Sequence, residues 1–272
     1  MTTTEPKKPA EWDAETYHRV ANPHVVWGQP VLARLPLVGN ETVIDAGCGT
    51  GRMTAELLDR LPEGHVIALD RSATMLDEAR RFLSPRFGER VSFLQADLAA
   101  DRFDVEADHV FSTATFHWVG DHQRLFTALY TALRPGGWLV AQCGGGPNIA
   151  RLRERIADLA AGSPFARPLR RWPGPWTFAT PEETGTRLAN AGFIDIETGV
   201  IPAPTTLDDA SAYREFLRTV VLGEHLARLS TPADQDALLD HLTAQAANDD
   251  PPFTLDYWRL NLRGRRPAIS AS

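Results

Sequence analysis

The feature that most constrains the fold is a glycine-rich loop directly after a short apolar segment. Residues 42–45 read TVID, and the loop continues as AGCGTG up to Gly51. The apolar run predicts a buried strand, and residues 52–61 carry apolar side chains at helical spacing. Because glycine has no side chain, and because the first turn of a helix leaves N–H groups free, a ligand can approach the backbone here. These features alone are compatible with a dinucleotide ligand.

Strand and helix patterns alternate along much of the remaining chain. Strands are predicted at 42–45, 65–69, 91–95, 108–112, 138–142, 193–201 and 253–262. Helices are predicted at 52–61, after an N-cap at Ser72 with Met75, Leu76, Ala79 and Phe82 on one face, at 123–133 and at 181–191, with a turn at 134–137. This alternation predicts an α/β fold with a doubly wound, mostly parallel seven-stranded sheet, into which the last strand inserts antiparallel.

Three stretches do not fit the alternation, namely 11–37, 148–176 and 205–249. We expect them to form a helical lid over the carboxyl ends of the strands, where ligands of open α/β sheets bind. The expected organisation is one domain over residues 1–272, with a core from 38–147, 177–204 and 250–266.

The spacing of the loop argues against a dinucleotide. The dinucleotide fingerprint is G-x-G-x-x-G, whereas this chain has Gly47, Gly49 and Gly51, with Arg52 where the third glycine would stand. An acid, Asp45, also precedes the loop. Its carboxylate would repel a pyrophosphate and suits a cationic amine.

Acids follow the next two strands as well. Asp70 ends the second strand, where a carboxylate can accept hydrogen bonds from both hydroxyls of a ribose. Asp97 follows the third strand, where it can accept from an adenine amino group or form a local cap. With the loop, these acids predict a nucleoside site on one edge of the sheet.

The loop from Asp45 to Gly51, Asp70, Asp97 and the LRPGG segment at 133–137 together resemble the motif series of class I S-adenosylmethionine-dependent methyltransferases. The resemblance covers about residues 40–145. It implies a Rossmann-like methyltransferase fold, with S-adenosylmethionine as cofactor and S-adenosylhomocysteine as product.

A narrower resemblance extends beyond this core. Trp12 with Tyr17, the FHW segment at 116–118 followed by DH at 121–122, and WTFATP at 176–181 are similar to the trans-aconitate methyltransferase group. Its relatives include carboxyl methyltransferases such as the juvenile hormone acid enzymes. The trans-aconitate enzymes usually carry Gln-Trp where this chain has His117-Trp118, a departure that concerns the substrate and not the cofactor.

The resemblance implies two sets of site residues. The cofactor-binding set is Tyr17, Asp45, Gly47, Gly49, Gly51, Asp70, Arg71, Met75, Asp97, Leu98 and Thr113. The substrate pocket is expected to contain Trp12, His117, Trp118 and Trp176. Two cysteines and scattered histidines offer no metal-ligand spacing, so we expect no metal.

His117 is the candidate catalytic residue. A carboxylate acceptor is already ionised at pH 7 and needs no base, whereas a hydroxyl or an acidic carbon would need one. We expect methylation of a small organic acceptor and favour a carboxylate oxygen. An O- or C-methyltransferase with His117 as base, a structural role for His117, an NAD-dependent oxidoreductase and a non-catalytic nucleotide-binding protein remain alternatives. Whether one or two of the arginines between 151 and 171 reach the pocket is also open.

The charge balance bears on partners. The net charge is −7 and the isoelectric point about 5.6. Nucleic acid is therefore not an expected partner, since it would need a basic stripe. Two cysteines and the lack of an apolar run of membrane-spanning length predict a cytoplasmic protein without a membrane partner. The sequence does not decide between monomer and homodimer.

Overall fold

The structure, a computed structural model, describes residues 22–98, 104–162 and 165–269. The strands are β1 Thr42–Ala46, β2 His65–Asp70, β3 Val91–Gln95, β4 Ala107–Thr113, β5 Leu133–Gly144, β6 Ile194–Pro202, β7 Thr205–Thr206, β8 Thr254–Leu255 and β9 Trp258–Arg265. The α-helices are α1 Asn22–Leu32, α2 Arg52–Asp59, α3 Ala73–Phe87, α4 His122–Ala132, α5 Ala150–Ala160, α6 Ala166–Leu169, α7 Pro181–Ala191, α8 Ala210–Phe216, α9 Gly223–Leu226 and α10 Pro232–Ala246. A 3₁₀ turn spans Phe116–Trp118, and a π-helix spans Leu217–Val221.

Seven strands form one sheet in the order β3-β2-β1-β4-β5-β9-β6. Strands β1 to β5 pair in parallel, and β9 pairs antiparallel with both β5 and β6. The predicted fold class, with its antiparallel last strand, is therefore confirmed. The order reverses between β1 and β4, which is where open α/β sheets hold their ligands.

Successive side chains of a strand point to opposite faces of the sheet, and helices bury the apolar side chains on both faces. On one face Ile44, Leu69 and Val110 pack with α4 and α7 in one apolar cluster. On the other face Val43 and Phe111 pack with α2 and α3 in a second cluster. Within the described residues, no helix is long and apolar enough to cross a membrane.

Three local predictions differ from the structure. Phe82 is 40% exposed, and Leu83, four residues after Ala79, takes the buried position on α3 instead. The predicted turn at 134–137 belongs to β5, because a register shift against β4 absorbs it as an irregularity. The predicted strand 253–262 is two strands, and its first part pairs with β7 outside the main sheet.

A third apolar cluster lies in the helices outside the sheet. It joins α5, α6, α8, the π-helix, α9 and α10 through residues such as Leu152, Leu217, Leu238 and Leu242. We call residues 148–176 and 205–249, within the described ranges, the lid; that they cover the carboxyl ends of the strands stays a prediction.

The segment 11–37 does not belong to the lid where the structure describes it. Val31 and Leu32 of α1, with Leu35, are buried in the cluster that covers the second face of the sheet. On that face, α1 packs beside α2 and helps to bury the apolar side chains of the sheet. Among the described side chains of this segment, Trp27 packs against the lid cluster. The division of the chain into core and lid segments within one domain stays a prediction.

Candidate cofactor and acceptor site

A cavity of about 310 Å³ opens at the carboxyl ends of β1, β2 and β4. The glycine loop and the acids of the strand ends line one part of it. The 3₁₀ turn after β4, the lid and the start of β9 line the other. We call these parts the cofactor end and the acceptor end. Such a position, at the reversal of strand order, matches the general ligand site of the fold.

The amides of the glycine loop donate within the protein. The N–H groups of Gly47 and Cys48 both donate to the carbonyl of Leu69, at 2.8 and 2.9 Å. Gly49 donates to Oδ2 of Asp70 at 2.9 Å, and Gly51 donates to the carbonyl of Cys48 at 3.0 Å. A pyrophosphate site needs such amides free to bind phosphate oxygens. The loop is therefore not built for a dinucleotide.

The absence of a side chain matters for a different reason at each of the three loop glycines. Gly47 has φ +83°, and a Cβ there would lie 2.2 Å from atoms of Thr115. Gly51 has φ +85° and starts α2, where a Cβ would lie 2.7 Å from Leu83; it does not line the cavity. Gly49 lines the cavity with φ +54°, and a Cβ there would meet no atom within 4 Å. Among the three loop glycines, Gly49 is the one where the missing side chain leaves open space beside the cavity.

Asp45 is a buried carboxylate at the cofactor end. Its side chain accepts a hydrogen bond of 2.6 Å from Oγ1 of Thr54, and the residue is 1% exposed. Burial raises the pKa of Asp45 to about 7; Thr54 opposes the shift, and the nearby charge of Asp70 adds to it. A carboxylate in this state gains strongly from a cation placed beside it.

Asp70 is held in one orientation by backbone amides. Its Oδ2 accepts from Gly49, and its Oδ1 accepts from Ser72, both at 2.9 Å. Burial nevertheless raises the pKa of Asp70 above its usual value. Two acids with raised pKa values at one end of a cavity fit a ligand with a cationic amine and hydroxyl donors. An aminoacyl nucleoside, as in S-adenosylmethionine, has both.

The other predicted cofactor residues also lie around this end. Lining residues from the predicted set are Asp45, Gly47, Gly49, Asp70, Arg71, Met75, Asp97, Leu98 and Thr113. Tyr17 lies outside the described residues, as does Trp12 of the predicted substrate pocket. Among the described residues, no group of three or more His, Cys, Asp and Glu side chains could hold a metal ion.

The predicted substrate residues His117, Trp118 and Trp176 all line the acceptor end. His117 is buried, and its Nδ1 lies 3.3 Å from the amide nitrogen of Gly144. A backbone N–H can only donate, so Nδ1 accepts. The neutral imidazole then carries its hydrogen on Nε2. In this arrangement His117 offers a donor, not a base, at its other ring nitrogen.

Arg259 is the site residue that sequence reasoning missed. It is the second residue of β9, is 2% exposed and lines the acceptor end. Its Nε donates to Oε1 of Gln142 at 3.3 Å, and its guanidinium lies 4.4 Å from the ring centroid of Trp27. In the sheet Arg259 is the cross-strand neighbour of Gly144, whose amide contacts His117. Only the register of β9 against β5 reveals this position.

The arginines between 151 and 171 do not line the cavity. Arg155 forms a bidentate salt bridge with Asp249, and the side chain of Arg151 donates to the carbonyl of Thr254. The guanidinium of Arg153 lies 5.5 Å from the ring centroid of Phe178, and Arg167, Arg170 and Arg171 are exposed. They tie lid segments together or face solvent, because α5 turns its apolar side toward the lid cluster.

The lid contributes Asn148, Ile149, Val220 and Val221 to the cavity. Ile149 has φ +45°, a conformation that a β-branched residue rarely adopts. Strain of this kind persists where surrounding contacts enforce it, often at ligand sites. Here the amide of Ile149 donates to the carbonyl of Asp256, and Asn148 accepts from the amide of Trp258.

Comparison with known proteins shows the family of the chain. Residues 43–137 match the family described as a methyltransferase domain. The trans-aconitate 2-methyltransferase of Azoarcus sp. (strain BH72) is 32% identical over 252 residues, covering 89% of this chain and 90% of the relative. That of Methylobacterium nodulans is 32% identical over 272 aligned residues, covering 94% and 99%.

A solved structure shares the fold. Haemonchus contortus phosphoethanolamine N-methyltransferase 2, in complex with S-adenosyl-L-methionine, matches with a TM-score of 0.60 at 19% identity. The match covers 93% of this chain and 56% of that one.

Fold and site together define a class I S-adenosylmethionine-dependent methyltransferase, so the predicted enzyme class and cofactor are confirmed. Within that class, the chain belongs to the family of the trans-aconitate 2-methyltransferases.

We expect the alanine substitutions Gly47→Ala and Gly49→Ala to separate folding from cofactor binding. Gly47→Ala should cost about 2–4 kcal/mol of unfolding free energy, because the new Cβ clashes with Thr115 at positive φ. Gly49→Ala should cost only about 1 kcal/mol and should weaken S-adenosylhomocysteine binding, because its Cβ occupies open space at the cavity. Urea unfolding and calorimetric titration measure the two effects. Equal losses of stability in both variants would contradict this assignment.

Asp45→Asn should change the pH dependence of stability. The folded-state pKa of Asp45 is raised to about 7, so ionisation of this group opposes folding as pH rises from about 4 to about 7. Without cofactor, the unfolding free energy of the variant relative to that of the wild type should rise by roughly 2–3 kcal/mol between pH 5 and pH 8. Urea unfolding at both pH values, without cofactor, gives the difference. A difference between the two proteins that does not change with pH would exclude a buried, strained carboxylate.

Proposed function

We propose that the protein transfers the methyl group of S-adenosylmethionine to a carboxylate oxygen of a small organic acid. The observation that carries this proposal is Arg259, a buried guanidinium at the acceptor end. Relatives that are 32% identical over most of the chain are named for methylation of trans-aconitate, itself a carboxylic acid. Arginine binds carboxylates through parallel N–H donors that match the two oxygens.

The surroundings of Arg259 fix its orientation. Gln142 accepts from Nε and itself donates through Nε2 to Asn261 at 2.9 Å, so a short polar chain crosses β5 and β9. Trp27 covers the guanidinium from one side. A guanidinium held in this way loses little conformational freedom when an acid binds. It therefore serves to position the acceptor and not to take part in proton transfer.

When bound, S-adenosylmethionine would supply an electrophilic methyl group: a lone pair of the acceptor oxygen would form the new O–C bond, and the two electrons of the broken S–C bond would stay on sulfur and neutralise its positive charge. The carboxylate is ionised at neutral pH, so the protein need not remove a proton. Its contribution is to align the oxygen and to exclude water from the reacting atoms.

His117 suits the same reaction as a positioning residue. Its Nδ1 accepts from Gly144, so the neutral ring carries its hydrogen on Nε2. A donor can orient a carboxylate oxygen, whereas a hydroxyl or carbon acceptor would require His117 to accept a proton. The backbone of Gly144 thus connects His117 to Arg259, its cross-strand neighbour.

Arg259→Met should raise the KM for carboxylic acid acceptors by about 10–100-fold, because a charged hydrogen-bond partner is lost. S-adenosylhomocysteine affinity, measured by calorimetry, should change little and shows that the variant is folded. The matched control is Arg265→Met on the same strand, where Arg265 forms a half-exposed ion pair with Asp195. Methyl ester formation is followed with a labelled methyl group. An unchanged KM in Arg259→Met would count against the proposal.

His117→Ala should retain turnover within about tenfold of the wild type. Over roughly pH 6.5 to 9, kcat/KM should show no ionisation of a catalytic base, because an ionised carboxylate needs none. His117→Asn, whose side-chain oxygen can accept from Gly144, should be closer still to the wild type. Loss of several orders of magnitude in His117→Ala would instead mark His117 as a general base and reject carboxylate methylation.

A further inference from the structure

Four aromatic side chains stand together at the acceptor end. We call His117, Trp118, Trp176 and Phe178 the aromatic wall; all four line the cavity. The rings of Trp176 and Phe178 stack at 5.7 Å and 15°, and those of Phe178 and His117 stack at 5.8 Å and 29°. Trp118 lies 5.3 Å from His117 and 6.1 Å from Trp176, at larger angles.

The wall is held rigidly by its surroundings. The carbonyl of His117 accepts from the amide of Thr177 at 2.8 Å, which fixes the segment of Trp176 against the 3₁₀ turn. Trp176 also packs on the ring of His225 at 4.8 Å, within the lid. The rings are thus pre-arranged before any acceptor enters, and a flat ligand would lose little free energy to rearrangement.

The lid side of the cavity is largely aliphatic, with Asn148 as a polar member. Val220 and Val221 are consecutive buried residues of the π-helix, and both line the cavity together with Ile149. A π-helix places side chains differently from an α-helix, and π-helical turns often occur at functional sites. Among the described residues, the acceptor end therefore offers mainly ring faces and methyl groups, with Asn148 and Tyr257 as further polar residues and the guanidinium of Arg259 for a carboxylate.

We propose that the acceptor is a flat, unsaturated or aromatic monocarboxylic acid, with its carboxylate at Arg259 and its planar body against the aromatic wall. This inference rests on the proposed carboxylate methylation. Planar bodies gain from stacking beyond the burial of their area. A tricarboxylate such as trans-aconitate would place further charges against rings and methyl groups, where desolvation is unfavourable.

The test compares three acids as ligands and as substrates. They are trans-cinnamate, its saturated and non-planar analogue 3-cyclohexylpropanoate, and trans-aconitate. Binding to protein saturated with S-adenosylhomocysteine is measured by calorimetry, and methyl ester formation is measured with a labelled methyl group. The affinity for cinnamate should be about tenfold higher than that for either of the other acids. The kcat/KM for its methylation should exceed theirs by a similar factor.

Trp176→Leu should remove this preference. Cinnamate should lose about tenfold in affinity and in kcat/KM, while 3-cyclohexylpropanoate changes by no more than about threefold. The matched control is Trp172→Leu. Trp172 packs on His225 and Arg228 but does not line the cavity, so this variant should keep the preference for cinnamate. Unchanged S-adenosylhomocysteine affinity shows that each variant is folded.

The outcomes separate the two proposals. Equal or better binding and turnover of trans-aconitate or of the saturated acid overturns the planar-acceptor inference and leaves carboxylate methylation standing. A failure to esterify any of the three acids overturns the proposed function and this inference with it. Loss of the preference in Trp172→Leu as well as in Trp176→Leu overturns the role of the wall.

Discussion

The structure depends on one unfavourable feature, the buried carboxylate of Asp45. It accepts a hydrogen bond from Thr54 and lies near a second acid, Asp70, which raises its pKa further. Without a cation at this place, the folded protein is destabilised as the group ionises. The loop, whose amides donate to Leu69 and Asp70, keeps both acids at the cavity. Stability is thus lower without cofactor, and binding a cationic amine recovers it.

The acceptor end depends on the antiparallel insertion of β9. This strand lies between β5 and β6 and begins where β5 ends, so Arg259 stands opposite Gly144. The amide of the same glycine donates to His117, which lies in the 3₁₀ turn Phe116–Trp118. The cofactor end and the acceptor end are therefore different parts of one sheet edge.

Local patterns predict the fold and the cofactor end well, because strand, loop and acid follow one another within a few residues, as at Asp45 and Asp70. The sequence shows an arginine-rich lid, but Arg155 meets Asp249, a residue 94 positions away. Arg259 is brought to Gln142 across 117 positions by strand register, which no local pattern encodes. Phe178 follows Trp176 closely, yet its contact with His117 depends on how the lid folds back.

The most direct measurement of this account is the proton release that accompanies S-adenosylhomocysteine binding. Calorimetric titration at pH 6 in buffers of different ionisation enthalpy gives the number of protons exchanged. The raised pKa of Asp45, about 7, means that most of this group is protonated before binding. Pairing with the ligand ammonium should ionise Asp45. The wild type should therefore release roughly one proton on binding, and Asp45→Asn should release much less. Equal proton release in both proteins, or none in the wild type, would contradict the account.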